Sequence, residues 1–202
     1  MVDGCQAGVR EIRTLLARAY VEDPLMRWVF PADSTRLDAV AAWLGLFVEN
    51  HLETGRMDVI RAEAVHAVAV WRMPASPPSV STLPSIGGLL TALVGAQHAS
   101  VVGRALAALR PLAPQGPHAY LQFMAVDPDL HRQGLGTEVL GPGLERAADS
   151  GLVVHRETAS PEAVAFYQRI GFETNACVEL AGDGPPLWAM RLEPGARRRP
   201  PV

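Results

Sequence analysis

Two glycines, Gly134 and Gly136, stand in the run Val126-Asp127-Pro128-Asp129-Leu130-His131-Arg132-Gln133-Gly134-Leu135-Gly136-Thr137, between a strand-like stretch and a helical one. A helix start offers unpaired N–H groups and the positive end of the helix dipole, which suits an anionic phosphate. Neither glycine has a Cβ, so a bulky diphosphate can approach the backbone. His131 and Arg132 add side-chain donors. On its own the G-x-G spacing reads more readily as a plain tight turn. It is not the dinucleotide fingerprint, because Val139 stands where a third glycine falls.

A second segment, Glu157 to Phe172, joins a strand end to a short helix. Ser160 predicts an N-cap and Pro161 a first helical position. Phe166 and Ile170 are four apart and are expected to face the core, with Phe166 anchoring the helix and Tyr167, on a different face, carrying a hydroxyl. An amphipathic helix with a partly exposed tyrosine explains this segment better when it is taken alone. Glu157 is the leading carboxylate for proton transfer, with a surface or salt-bridged role as an equal alternative. His155 shares its strand face, two residues earlier. His118 is expected in a loop. The other histidines, at 51, 66 and 98, have no metal-ligand spacing.

Composition excludes whole chemistries. All 18 basic residues are arginine. Without lysine there is no P-loop lysine, no pyridoxal-phosphate Schiff base and no lysine nucleophile. The net charge of −3 gives no general attraction to nucleic acid or anionic lipid. Cys5 and Cys177 form no metal pattern and suit a reduced, cytoplasmic protein. No apolar run is long enough to cross a membrane, and residues 1–10 do not read as a secretion signal.

The elements that must position these segments follow from periodicity. Val9, Ile12, Leu15, Leu16 and Ala19 predict a helix over Gln6–Val21, stopped or turned by Asp23-Pro24. A second helix runs from Ser34 or Thr35 to a C-cap at Gly55. Met57–Arg61 and Ala64–Trp71 predict a hairpin, and Pro74–Pro84 a loop. Residues 86–96 and 98–110 read as helices, either a structural insertion or one wall of a substrate pocket. Ala119–Val126 is a strand and Gly134–Ser150 a helix bent by Pro142. Leu152–Thr158 is a strand and Pro161–Ile170 a helix. Thr174–Leu180 and Leu187–Leu192 form an antiparallel pair. This order predicts an α/β fold, a mixed central sheet flanked by helices, in a single domain over residues 1–194. Residues 195–202 are expected to be a disordered tail.

Taken together, a glycine turn opening a helix, a strand, and then A-x-x-F-Y-x-x-x-G-F resemble the GNAT superfamily of acetyl-CoA-dependent N-acetyltransferases. The resemblance covers about residues 6–194 and is strongest from Leu121 to Phe172. Within the superfamily the chain is similar to the puromycin N-acetyltransferase type, through Ala67-Val68-Ala69-Val70-Trp71, His131 to Gly136, Pro142-Gly143, Glu157-Thr158 before Phe166-Tyr167, and Trp188-Ala189-Met190. GNAT folds usually open with a strand, but only Met1 to Cys5 precede the first helix, so that strand is expected to be short or missing.

The resemblance implies acetyl-CoA as co-substrate and no metal. It assigns the pyrophosphate to His131, Arg132, Gln133, Gly134, Leu135, Gly136 and Thr137, with His131 where Gln or Arg is usual. Met124, Ala125 and Val126 would face the pantetheine arm. Ser160 replaces a usual Asn at the helix cap. Tyr167 would protonate the leaving thiolate, and a backbone N–H of Met124 or Val126 would serve the oxyanion. Tyr120 and Gln122 occupy the neighbourhood where many relatives carry a glutamate base. The implied activity is transfer of acetyl to a primary amine of a small molecule, an antibiotic or a metabolite. A protein or peptide acceptor, and a non-enzymatic acyl-CoA sensor, are the alternatives. Neither nucleic acid nor membrane is an expected partner, and a homodimer is left open.

Overall fold

The computed structural model describes residues 6–54, 56–74 and 85–195. Met1 to Cys5, the Gly55 cap, most of the Pro74–Pro84 loop and nearly all of the 195–202 tail lie outside them. Three helices come first: α1 (Gln6–Tyr20), α2 (Pro24–Val29) and α3 (Asp33–Thr54). A hairpin of β1 (Arg56–Arg61) and β2 (Val65–Arg72) follows, then α4 (Ile86–Val94) and α5 (Ala96–Ala107). The second half runs β3 (His118–Val126), α6 (Leu135–Asp149), β4 (Val153–Thr158), α7 (Pro161–Arg169), β5 (Glu173–Glu179) and β6 (Pro186–Leu192). Among the described residues the sheet has six strands in the order β1-β2-β3-β4-β6-β5. No described strand precedes α1.

Helix α1 ends before Asp23-Pro24, as expected, but the pair also opens α2, a helix not expected from the sequence. The Asp23 side chain accepts the N–H of Leu25 and Pro24 takes the first turn, so the pair starts a helix. Gly95, at φ +78°, separates α4 from α5. His118 is the first residue of β3, not a loop residue.

The sheet is antiparallel except between β3 and β4, which run parallel and pair only at His118, Ala119 and Tyr120. Beyond Tyr120 the two strands part. Just there, the pairing of β3 with β2 skips Gln122, since Val70 faces Phe123 and Trp71 faces Leu121. This bulge exchanges the faces of β3. Ala119 and Leu121 pack with Trp71 and Leu140 of α6, whereas Phe123 and Ala125 pack with Leu16 of α1 and Val48 of α3. Two apolar layers thus clamp the sheet, one on each side.

Candidate active site

The parted strands expose backbone groups. Met124 finds no partner on β4; its N–H donates to Tyr20 Oη (3.3 Å), and that hydroxyl donates back to Met124 O (3.1 Å). Tyr20 closes α1 and leans edge-on against Phe123. The edge of β3 from Met124 to Val126 therefore faces a gap, and at Met124 a side chain stands in for the missing strand.

At the end of that edge the chain turns into α6. Arg18 of α1 spans Asp127 (2.9 Å) and Asp129 (2.8 Å), and Asp127 also accepts the Asp129 N–H. Partly exposed pairs add little stability, but these fix the loop to α1. His131 Nε2 lies 3.3 Å from Val126 O, across the turn. Arg132 (φ +63°) and Gly134 (φ +83°) take left-handed backbone conformations. No side chain caps α6, while the shorter α7 is capped by Ser160 Oγ, which accepts the Ala163 N–H at 3.2 Å. The first N–H groups of α6 therefore lack a side-chain acceptor, as an anion site requires.

The two glycines differ in what they permit. A Cβ on Gly134 would meet nothing within 4 Å, so the approach to the backbone is open. A Cβ on Gly136 would lie 3.3 Å from the Phe166 ring. Gly136 thus serves the packing of α6 on α7, and bulk there would press on Phe166 first. His131, Arg132, Gln133 and Thr137 are exposed; Leu135 is half-buried.

A cleft of about 430 Å³ opens at the mouth of the gap. Tyr20, Met26, Trp43, Phe47 and Phe123 line its apolar side, and Arg72, Tyr120, His155, Arg156 and Glu157 its polar side. His155 is buried, stacks on Tyr120 (centroids 5.8 Å apart) and hydrogen-bonds Glu157 (Nε2 to Oε1, 2.8 Å). Burial alone would raise the Glu157 carboxyl. The bond and charge of His155, the Tyr120 hydroxyl and the Arg156 charge outweigh it and hold that carboxyl below its ordinary value. An ionised Glu157 accepts, so Nε2 of His155 is the donor of this bond, and the buried Nδ1 has no partner. Burial, then the Glu157 charge, lifts the Tyr120 hydroxyl far above its usual range.

Tyr167 is fully buried and Phe166 only half-buried, the reverse of the expected anchoring. Its ring packs against Phe166 and Phe172, and its hydroxyl has no hydrogen-bond partner. Burial lifts its pKa; the Arg156 charge acts against that rise. The glycine loop follows the end of β3 and Ser160 the end of β4, on the two sides of the gap, while Glu157 lies in the cleft. The sequence reading passed over Tyr20 and Arg156. The signal for Arg156 was a charged residue on the opposite strand face from His155 and Glu157, where neighbouring Val154 is core. Among the described residues no cluster of metal-ligating side chains occurs, and no helix is long and apolar enough to cross a membrane.

Residues 76–172 match the acetyltransferase (GNAT) family. An acetyltransferase from Corynebacterium glutamicum, described as histone acetyltransferase HPA2 and related acetyltransferase, is 25% identical. It superposes with a TM-score of 0.71, covering 100% of this chain and 97% of its own. A mosquito arylalkylamine N-acetyltransferase (like 5b) is 14% identical, with a TM-score of 0.60 over 93% of this chain and 95% of its own. The C-terminal condensation domain of Ebony, solved with beta-alanyl-dopamine, is 13% identical at a TM-score of 0.59, covering 94% and 95%. The last two share the fold.

Proposed function

As an acetyltransferase of the GNAT family, this chain needs a place for an acetyl donor and a place for an acceptor, and we propose that it moves acetyl from acetyl-CoA to a primary amine of a small molecule. The single observation that carries this reading is the 430 Å³ cleft at the mouth of the β3–β4 gap, walled by aromatics and holding the carboxylate of Glu157, with Asp23 also in the wall but engaged as the cap of α2. Aromatic walls receive the apolar body of an amine, and the carboxylate receives its positive end.

The donor's acidic groups go to the uncapped start of α6, with Gly134 leaving the backbone open and His131, Arg132, Gln133 and Thr137 at its rim. Its amide-bearing arm runs along the Met124–Val126 edge, where strand N–H and C=O groups supply the hydrogen bonds. Glu157, with His155 behind it, binds the ammonium; one proton leaves to solvent, the neutral amine attacks, and Glu157 receives the second proton, from the nitrogen once it has bonded to carbon. Because its pKa is held low, Glu157 attracts the cation well and takes a proton only from a nitrogen made acidic by bond formation. Tyr167 keeps its proton at neutral pH and supplies it to the departing thiolate.

A cytoplasmic enzyme with one catalytic domain fits this reading, since one sheet carries both halves of the site. The test is release of free thiol from acetyl-CoA across a panel of arylalkylamines, amino-sugar and aminonucleoside antibiotics, and short peptides. Turnover with small amines and not with peptides supports the reading. Preference for a peptide, the reading suggested by the name of the Corynebacterium relative, overturns the acceptor assignment. Acetyl-CoA binding with no turnover on any amine turns the chain into a sensor.

A further inference from the structure

Arg156 lies on β4 between His155 and Glu157 and is 5% exposed. A guanidinium stays charged in proteins, and a buried charge without a counter-ion is strongly disfavoured. Its surroundings compensate it only in part: Asp23 and Glu157 feel its charge, but neither carboxylate is in contact with it. The guanidinium sits over the Tyr167 ring (4.6 Å to the centroid), and Nη2 makes one long hydrogen bond to Tyr20 Oη (3.5 Å). Nε and Nη1 are buried and have no partner. Among the described residues no carboxylate forms an ion pair with it. Glu157 is held by His155 and Tyr120, and Asp23 accepts the Leu25 N–H as the cap of α2. A fixed positive charge with two unused donors therefore stands in the wall of the cleft.

Its position specifies the anion. The hydroxyl that accepts from Arg156 is the one bound to both backbone groups of Met124, so the guanidinium stands one hydroxyl away from the β3 edge. We infer that Arg156 stabilises the negative charge that develops on the thioester oxygen, its free Nε–H and Nη1–H donating to the oxyanion. This rests on the reading that acetyl-CoA lies along that edge. The amine lone pair forms the N–C bond and the carbonyl π pair moves onto oxygen, where Arg156 meets it. On collapse that pair re-forms C=O, the C–S bond breaks, and the sulfur leaves with its electrons and takes the Tyr167 proton. The nitrogen gives its proton to Glu157. Fixed donors aimed at a charge that appears only in the transition state act on rate rather than on ground-state binding.

Two non-reactive probes separate this role from its rivals: S-carboxymethyl-CoA, which puts a carboxylate beside the sulfur, and S-carboxamidomethyl-CoA, its neutral isostere. The wild-type protein is expected to bind the anionic probe about 10- to 100-fold more tightly, the range for hydrogen bonds to a charged group. In Arg156→Met that preference should fall to about one, with the affinity for the neutral probe within threefold. The melting temperature should hold or rise, because an unpaired buried charge has been replaced by an apolar side chain. With an acceptor in hand, turnover should drop at least 100-fold while KM for the amine stays within a few-fold. An unchanged probe ratio in the variant, or a higher KM for the amine at full turnover, overturns the inference and leaves acetyl-CoA binding standing. Failure of the wild-type protein to bind either probe overturns the underlying reading as well. If Arg156→Met does not fold, Arg156 is structural unless Arg156→Gln folds and shows the same loss of preference.

Discussion

Tyr167 carries a hydroxyl that no described group binds and that lies out of contact with water. A hydroxyl kept only for packing would cost stability in this state, since its donor is buried and unused. Tyr167→Phe removes that unsatisfied group and keeps the ring. Its melting temperature is expected to stay level or rise, while turnover falls about 100- to 10,000-fold, the usual contribution of general acid catalysis. Full turnover in the Phe variant, measured once an acceptor is found, would exclude the acid role. Glu157 gives a second prediction, in stability rather than rate. Its folded-state pKa lies below the ordinary 4.5 of the unfolded chain. Its stabilising contribution is therefore complete above about pH 4.5, is lost as pH falls through the folded value, and is absent below both. The stability gap between wild type and Glu157→Gln should be widest at neutral pH and close in acid, in paired denaturation curves. A gap that widens on acidification would reverse the sign and refute the assigned shift.

Helix α6 shows how an element can be placed by sequence for one reason and held by another. Gly143 was legible beside Pro142 as part of a resemblance, but its work is steric. A Cβ there would fall inside the indole of Trp71, which is fully buried on β2. Gly143→Ala is expected to destabilise the fold by about 1–3 kcal/mol, the usual penalty for overpacking, and urea denaturation would measure it. An unchanged midpoint would mean that α6 shifts freely on the sheet. The strands and most helix spans were readable from alternation and helical stripes, because those patterns are set by burial. Helix α2 was not, because Asp-Pro serves both as a stop and as an N-cap followed by a first-turn proline. Ser160-Pro161 carried the same chemistry and was read correctly, since an apolar stripe follows it. The bulge at Gln122 left no mark in β3, whose alternation runs on unbroken while the faces exchange. Arg156 escaped for a related reason: a strand pattern fixes which face a residue takes but not whether its charge finds a partner.

At the scale of the molecule, three residue pairs join two half-sheets, β1-β2-β3 and β4-β6-β5, and the rest of the boundary is the gap. Each half has its own helices, and α6 packs mainly on β1, β2 and β3 and reaches β4 only in part, so the seam between β3 and β4 is the weakest line of the sheet. A ligand lying along the β3 edge and ending at the start of α6 would touch both halves and add to the coupling between them. At 100 times its Kd, a ligand that binds only the folded state stabilises it by about 2.7 kcal/mol. For a domain of this size that amounts to a rise in melting temperature of roughly 5–11 °C. The slowing of amide exchange should be uneven. The N–H groups of Gln122–Val126 and Arg156–Thr158 that are not bonded to β2 or β6, and those of the first turn of α6, should gain protection, because they face the gap or the ligand. β5 lies at the far edge of the second half-sheet and should change little. Acetyl-CoA that raised the melting temperature while protecting β5 as strongly as β3 would indicate a general tightening of the fold. No rise at saturating acetyl-CoA would place the donor elsewhere, because a ligand spanning the weakest seam of a sheet cannot bind there without making that seam harder to open.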